Sequence, residues 1–234
     1  MEELKRQLFA ILREHGAVLC GAADMSGSST EGLNTGVSVA VSLPAHVVED
    51  LKTAPTLEYR DTYQRLNRQL DSIVLAGEAF LRKNGFRAWA CTLERMKKDE
   101  TWCVPIPHKT FAVRAGLGWI GKSCLLVTPE YGSAVRISSL LTDAPLPVEQ
   151  PVTESRCGGC TKCVDSCPGQ ALKGALWRAG MARERLLDKE ACKEAQTRRM
   201  EAATGVHTDL CGLCFAVCPY TQRWLRSVQD RSRL

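Results

Sequence analysis

Cys157, Cys160, Cys163 and Cys167 stand in "CGGCTKCVDSCP" at gaps of two, two and three residues, and a proline follows the last. A second run, "CGLCFAVCP", sets Cys211, Cys214 and Cys218 at gaps of two and three, again with a proline behind. Three thiolates at two-residue gaps can wrap three corners of one iron–sulfur cube, while the cysteine one residue further on points away and serves a second cube. The second run is one cysteine short, and Cys192 in "LDKEACKEA" lies between the runs and can fill the gap. The spacing therefore predicts two 4Fe–4S clusters. Cys157, Cys160, Cys163 and Cys218 hold the first; Cys167, Cys192, Cys211 and Cys214 hold the second. Structural zinc is the plainer alternative. Zinc sites pair C-x2-C knuckles around a tetrahedral ion and do not use three cysteines at successive two-residue gaps before Cys-Pro.

The chain has 12 cysteines in 234 residues, and no export signal is legible at its acidic, amphipathic start "MEELKRQLFAILREHG". The expected compartment is the reducing cytoplasm, where clustered cysteines serve as metal ligands rather than disulfides. Cys20, Cys91 and Cys124 stand singly in apolar surroundings and read as packing; Cys103 is left open. A net charge of +5 permits an anionic partner without requiring one. The longest apolar stretch, "GVSVAVSLPAHVV", is too short and interrupted to span a bilayer, so no membrane partner is expected.

The elements that must position these thiols follow from periodicity. Leu4, Leu8, Ile11 and Leu12 recur at helical spacing and Gly16 ends that helix. "AVLCGAA", "GVSVAVSLP" and "FRAWACT" read as strands. A long helix is predicted from about Thr56 to Asn84, with Leu66, Leu70, Ile73, Val74, Phe80 and Leu81 on one side and Gly85 as its stop. "PHKTFAVRAG" reads as a short helix, and "KSCLLVT" and "AVRISSLLT" as a hairpin around "PEYGS". "DAPLPVEQPVTES", with three prolines, reads as a linker. The expected architecture is an α/β (α+β) domain over residues 1–145, a ferredoxin-like module of the bacterial two-cluster kind over 146–222, and a basic, solvated tail over 223–234.

A bare ferredoxin needs only the second module, so the first must bind or dock something. Its most informative stretch is "RAGLGWIGK", with Gly116, Gly118 and Gly121 around Trp119. Dense glycines let a backbone approach a flat or bulky ligand closely. The G-x-G-x-x-G spacing follows a helix and leads into a strand, the reverse of a dinucleotide site, so nicotinamide binding is not expected. The plain alternative is a glycine-rich turn packed on Trp119.

"RAGLGWIGK", "LLVTPEYGS" and the two cysteine runs resemble epoxyqueuosine reductase, the cobalamin-dependent enzyme of tRNA queuosine synthesis, and its relatives the reductive dehalogenases. The resemblance runs from about residue 85 to 222 and more loosely to the N-terminus. It implies a corrinoid-binding N-terminal domain, with Gly116, Leu117, Gly118, Trp119, Ile120, Gly121 and Lys122 against the cofactor. It also implies stepwise electron delivery from cluster to cluster to cobalt, and a side chain that supplies a proton. A low-potential donor such as ferredoxin or flavodoxin is the implied electron source.

Two departures shape the expected function. The family continues beyond the clusters into a helical-repeat domain that helps hold tRNA, whereas this sequence ends at Leu234. The family's proton-donating aspartate, in a D-T-x-P pattern, aligns with Trp102 in "WCVP". Asp99, Glu100, Cys103 and His108 are the nearby substitutes; the plain readings are a solvated charged loop for Asp99 and Glu100 and a helix-start residue for His108. The leading expectation is thus a cobalamin-binding iron–sulfur reductase acting on another substrate. The alternatives are an electron-transfer protein that reduces a partner, such as a corrinoid protein, and epoxyqueuosine reduction itself. A small-molecule substrate is allowed for, and tRNA is an allowed but not favoured partner.

Overall fold

In a computed structural model of the protein, residues 1–28, 30–96 and 106–231 are described. The chain divides into two compact units interleaved in sequence. One comprises Met1–Ser42, Arg65–Leu117 and Arg136–Val152; the other comprises Leu43–Gln64, Gly118–Val135 and Thr153–Leu234. Residues 43–64 and 118–135 thus group with the cysteine runs, and the glycine loop is divided after Leu117.

The first unit is built on an antiparallel pair, β1 (Leu19–Asp24) and β2 (Thr35–Ser42), in register from Leu19↔Ala40 to Asp24↔Thr35. Its four-stranded sheet has the order β1-β2-β6-β3, with β3 at Ala88–Ala90 and β6 at Val135–Thr142. Helix α1 (Glu2–Glu14) buries Leu8, Phe9 and Leu12. A short helix α2 (Ala45–Asp50) belongs to the second unit, and α3 (Leu57–Lys83) follows it. Leu66, Leu70, Ile73, Val74 and Leu81 of α3 are buried at helical spacing, as the sequence pattern predicts; Phe80 is half-buried. Gly77 sits inside this helix because a Cβ there would lie 2.7 Å from Leu140 Cδ2 and 3.0 Å from Leu12 Cδ2. The short helix α4 (His108–Arg114) buries Phe111 among Ala23, Met25, Cys91, Ala115 and Leu141.

Three expectations are corrected. "KSCLLVT" and "AVRISSLLT" do not form a hairpin. Leu126–Val127 (β5) pairs with Trp119–Ile120 (β4), and β6 pairs with β3 and neighbours β2. The turn "PEYGS" is real but closes on itself through two bonds between Thr128 and Gly132. The proline-rich segment before the cysteines is not a free linker. Ala144 and Leu146 are buried, the Glu149 carboxylate accepts from Ala22 N–H at 2.6 Å and from Lys5 at 2.7 Å, and Val152 N–H donates to Val113 O. Glu149 thereby satisfies an edge of β1 that would otherwise lie unpaired. Residues 223–231 are not wholly solvated either, because a helix over Pro219–Arg231 buries Trp224 and Leu225.

Candidate functional site

The second unit presents the thiols on short helices and tight turns. Cys157 and Cys160 flank a turn in which Gly158 takes a left-handed φ of 54°, and Cys160 N–H donates to Cys157 O at 3.2 Å. Helix α5 (Lys162–Asp165) carries Cys163, and its end releases Cys167. Cys192 stands in the first turn of α6 (Lys189–Thr204), which Asp188 caps by accepting from Ala191 N–H at 3.0 Å. Gly169 lets the loop after Cys167 lie against α6, since a Cβ there would meet Ala191 O and Ala195 Cβ at 2.7 Å. Cys211 precedes α7 (Leu213–Ala216), which carries Cys214. Cys218 precedes Pro219, the first residue of α8 (Pro219–Arg231), where the missing N–H costs the helix nothing.

These eight thiols crowd into two neighbourhoods. Burial pushes the Cys163 thiol up to about 11, and Cys157, Cys218 and Cys160 add to the rise. Burial likewise raises Cys192, with Cys167, Cys211 and the packing cysteine Cys124 beside it. Cys214 is raised by burial, then by Cys211 and Cys192, with Cys163 and Cys167 as further contributors. Thiols so placed repel one another once ionised, and bound iron supplies the positive charge that makes thiolates stable there. Among the described residues no three His, Cys, Asp or Glu side chains converge on one metal ion. A cube asks for a wider arrangement, because each thiolate binds its own iron. The all-thiolate donor set fits iron–sulfur clusters.

The sequence reading missed the residues around these sulfurs. Cys218 is raised by burial, against which the backbone N–H groups of Thr221 and Tyr220 and the Thr221 side chain act to lower it. Thr221 Oγ1 also accepts from Ser133 N–H at 3.0 Å, and Gly132, with φ 58°, presses on the Thr221 backbone where no Cβ could fit. The "PEYGS" turn is therefore seated on the first turn of α8.

The glycine loop has a packing explanation at each glycine. Gly116 takes φ 69°, and a Cβ there would lie 3.0 Å from Gln150 O. A Cβ on Gly118 would enter the Val127 carbonyl of β5, and one on Gly121 would lie 2.8 Å from Val127 Cγ2 and 3.5 Å from Cys157 Sγ. Those directions are filled by protein and form no cradle for a corrin. Leu117 packs against the Phe111 cluster, while Ile120 and Lys122 are buried. Trp119 is 1% exposed, stands edge-on to Tyr220 at 4.9 Å between centroids, and lies beneath the Arg156 guanidinium. Its indole N–H is buried without a hydrogen-bond partner among the described residues.

Of the candidate proton donors, Asp99, Glu100 and Cys103 lie outside the described residues, as does Trp102. His108 begins α4, and its Nδ1 shares a 2.6 Å hydrogen bond with Ser139 Oγ on β6. Burial, helped by the Arg136 charge, pushes its pKa down to about 4. At neutral pH it is an uncharged imidazole and no store of an acidic proton.

A mixed α/β fold joined to paired cysteine runs defines an iron–sulfur protein of the two-cluster kind, and residues 156–221 match the 4Fe-4S double cluster binding domain. The chain is related to the epoxyqueuosine reductases: it is 38% identical over 121 residues to that of Bacillus cereus, covering 49% of this chain and 29% of the relative. It is similar in fold to a solved epoxyqueuosine reductase bound to an epoxyqueuosine-modified tRNA-Tyr stem loop. That likeness has a TM-score of 0.62 at 21% identity and covers 94% of this chain and 66% of the other. A catabolic reductive dehalogenase in complex with 3-bromo-4-hydroxybenzoic acid shares the fold at TM-score 0.71 and 18% identity, covering 95% and 33%. The chain spans less than half the length of the curated relatives it matches. Among the described residues no helix is long and apolar enough to cross a membrane.

Proposed function

We propose that the protein is an iron–sulfur reductase of the epoxyqueuosine reductase kind, with an epoxyqueuosine-bearing tRNA as substrate. The observation that carries this reading is the sequence likeness to epoxyqueuosine reductases in a chain whose eight cluster cysteines gather in one unit. Cys157, Cys160, Cys163 and Cys218 hold one cluster, and Cys167, Cys192, Cys211 and Cys214 the other. Held by these thiolates, each cluster would supply a one-electron centre, filled from a low-potential donor such as ferredoxin or flavodoxin. Loss of an epoxide oxygen as water consumes two electrons and two protons, which two one-electron centres can supply between them. Cobalamin, when bound, supplies low-valent cobalt as the electron carrier that meets the substrate. The likeness to the relatives, among them a B12-dependent reductive dehalogenase, is what supports it. The protein's own part is to hold the clusters by thiolate and to bring a proton to the substrate.

A second reading, reduction of another substrate, is favoured by Trp102 alone. An indole N–H donates a hydrogen bond but does not give up its proton near neutral pH. Loss of a positioned acid costs roughly 10²–10⁴-fold. The test is an anaerobic assay with reduced protein, cobalamin and epoxyqueuosine-containing tRNA, run beside Trp102→Asp. Product from the unaltered protein supports the first reading. Product from Trp102→Asp alone supports the second, and none from either overturns the first. A parallel titration of the protein into cob(II)alamin tests cofactor use: a base-off spectrum is expected, and an unchanged spectrum removes cobalamin from the reading.

A further inference from the structure

Three sulfurs of the second cysteine set accept hydrogen bonds from groups that ligation does not require. Gln196 Nε2 donates to Cys192 Sγ at 2.9 Å, Arg199 Nη1 to Cys211 Sγ at 3.5 Å, and the Ala171 backbone N–H to Cys167 Sγ at 3.4 Å. Gln196 and Arg199 lie four and seven residues after Cys192 on α6, so the helical period puts all three on one face. The guanidinium is held in place from its other side, where Arg199 Nη2 donates to Thr53 O at 2.8 Å. A fixed cation and an amide N–H on cluster sulfurs favour the state that carries the extra electron. The sulfur bears more negative charge when the cluster is reduced, so each donor binds that state more strongly.

We propose that this face of α6 sets the reduction potential of the cluster held by Cys167, Cys192, Cys211 and Cys214, with Arg199 and Gln196 raising it. The proposal rests on the ligand partition given above. Arg199 and Gln196 act through the sulfurs and are positioning residues. The couple is a one-electron one: the cluster gains an electron from an external low-potential donor, and no bond is made or broken. The device lets this cluster keep its electron at potentials that would oxidise it without these donors.

The test is an anaerobic potentiometric titration of the two-cluster protein, with dithionite as reductant and paramagnetic spectra as the readout. Cys192→Ala first identifies the signal of this cluster by its loss. Arg199→Met is expected to keep its iron and to shift that signal's reduction equilibrium about tenfold toward the oxidised form, about 59 mV for one electron. Gln196→Leu shifts it the same way by less, Arg199→Lys restores part of the loss, and the other signal stays in place. An unmoved midpoint in both Arg199→Met and Gln196→Leu overturns the proposal, as does an equal shift of both signals. Should Arg199→Met lose iron through its bond to Thr53, Gln196→Leu decides, since it has no such anchor. If Cys192→Ala leaves both signals intact, the ligand partition is what fails.

Discussion

The proposed partition gives each cysteine to one cluster, and single substitutions test it set by set. Cys192→Ala should remove the iron of the second cluster and spare the first; Cys218→Ala should do the reverse. Iron analysis with spectra of the dithionite-reduced protein reads both, and full iron in either variant contradicts the assignment. His108 offers a test of a different kind. Its folded pKa of about 4 lies below the ~6.5 of a free imidazole. As pH falls, the unfolded chain binds this proton first. The contribution of the neutral ring is therefore complete above about pH 6.5 and is lost as pH drops toward 4. Apparent melting temperatures of wild type and His108→Gln, compared over that range, should show a shallower decline in the variant. Parallel curves would mean that His108 is charged in the fold or is not withdrawn from water.

At the scale of elements, glycines mark where backbones close up. Gly118 lies against the Val127 carbonyl, so Gly118→Ala should disrupt the β4–β5 pairing and cost roughly 1–3 kcal/mol or more, with or without cobalamin. Thermal unfolding of cofactor-free protein checks this, and an unchanged midpoint would return the glycine to a ligand-facing role. Gly77→Ala should destabilise by a similar amount through overpacking against Leu140 and Leu12. Chemical denaturation measures that loss, and a neutral or stabilising result would mean that helix propensity outweighs the contact.

For the molecule as a whole, anaerobically prepared protein should hold close to eight irons and eight sulfides, the complement of two cubes. Half that content, with four of the cysteines open to alkylation, would reduce the site to one cluster. The match of residues 156–221 to a double-cluster domain bears on the same point from sequence.

The cysteine runs, the long helix and the strands β1 and β2 were legible in sequence because each is written locally, in ligand spacing or in a hydrophobic period. Gln196 and Arg199 were not picked out from the sequence. Their spacing from Cys192 was visible, but what they touch depends on where Cys211 and Thr53 come to rest. Strand pairing was not legible. β5 and β6 flank a real turn, yet each finds its partners elsewhere, because a turn fixes chain reversal while pairing is decided by whichever edge is free. The fixing of the proline-rich segment by Glu149 and the burial of Trp224 and Leu225 escaped for the same reason. Polar, proline-containing and basic stretches read as solvated until an unpaired strand edge or an apolar pocket, made by residues far away in sequence, takes them up.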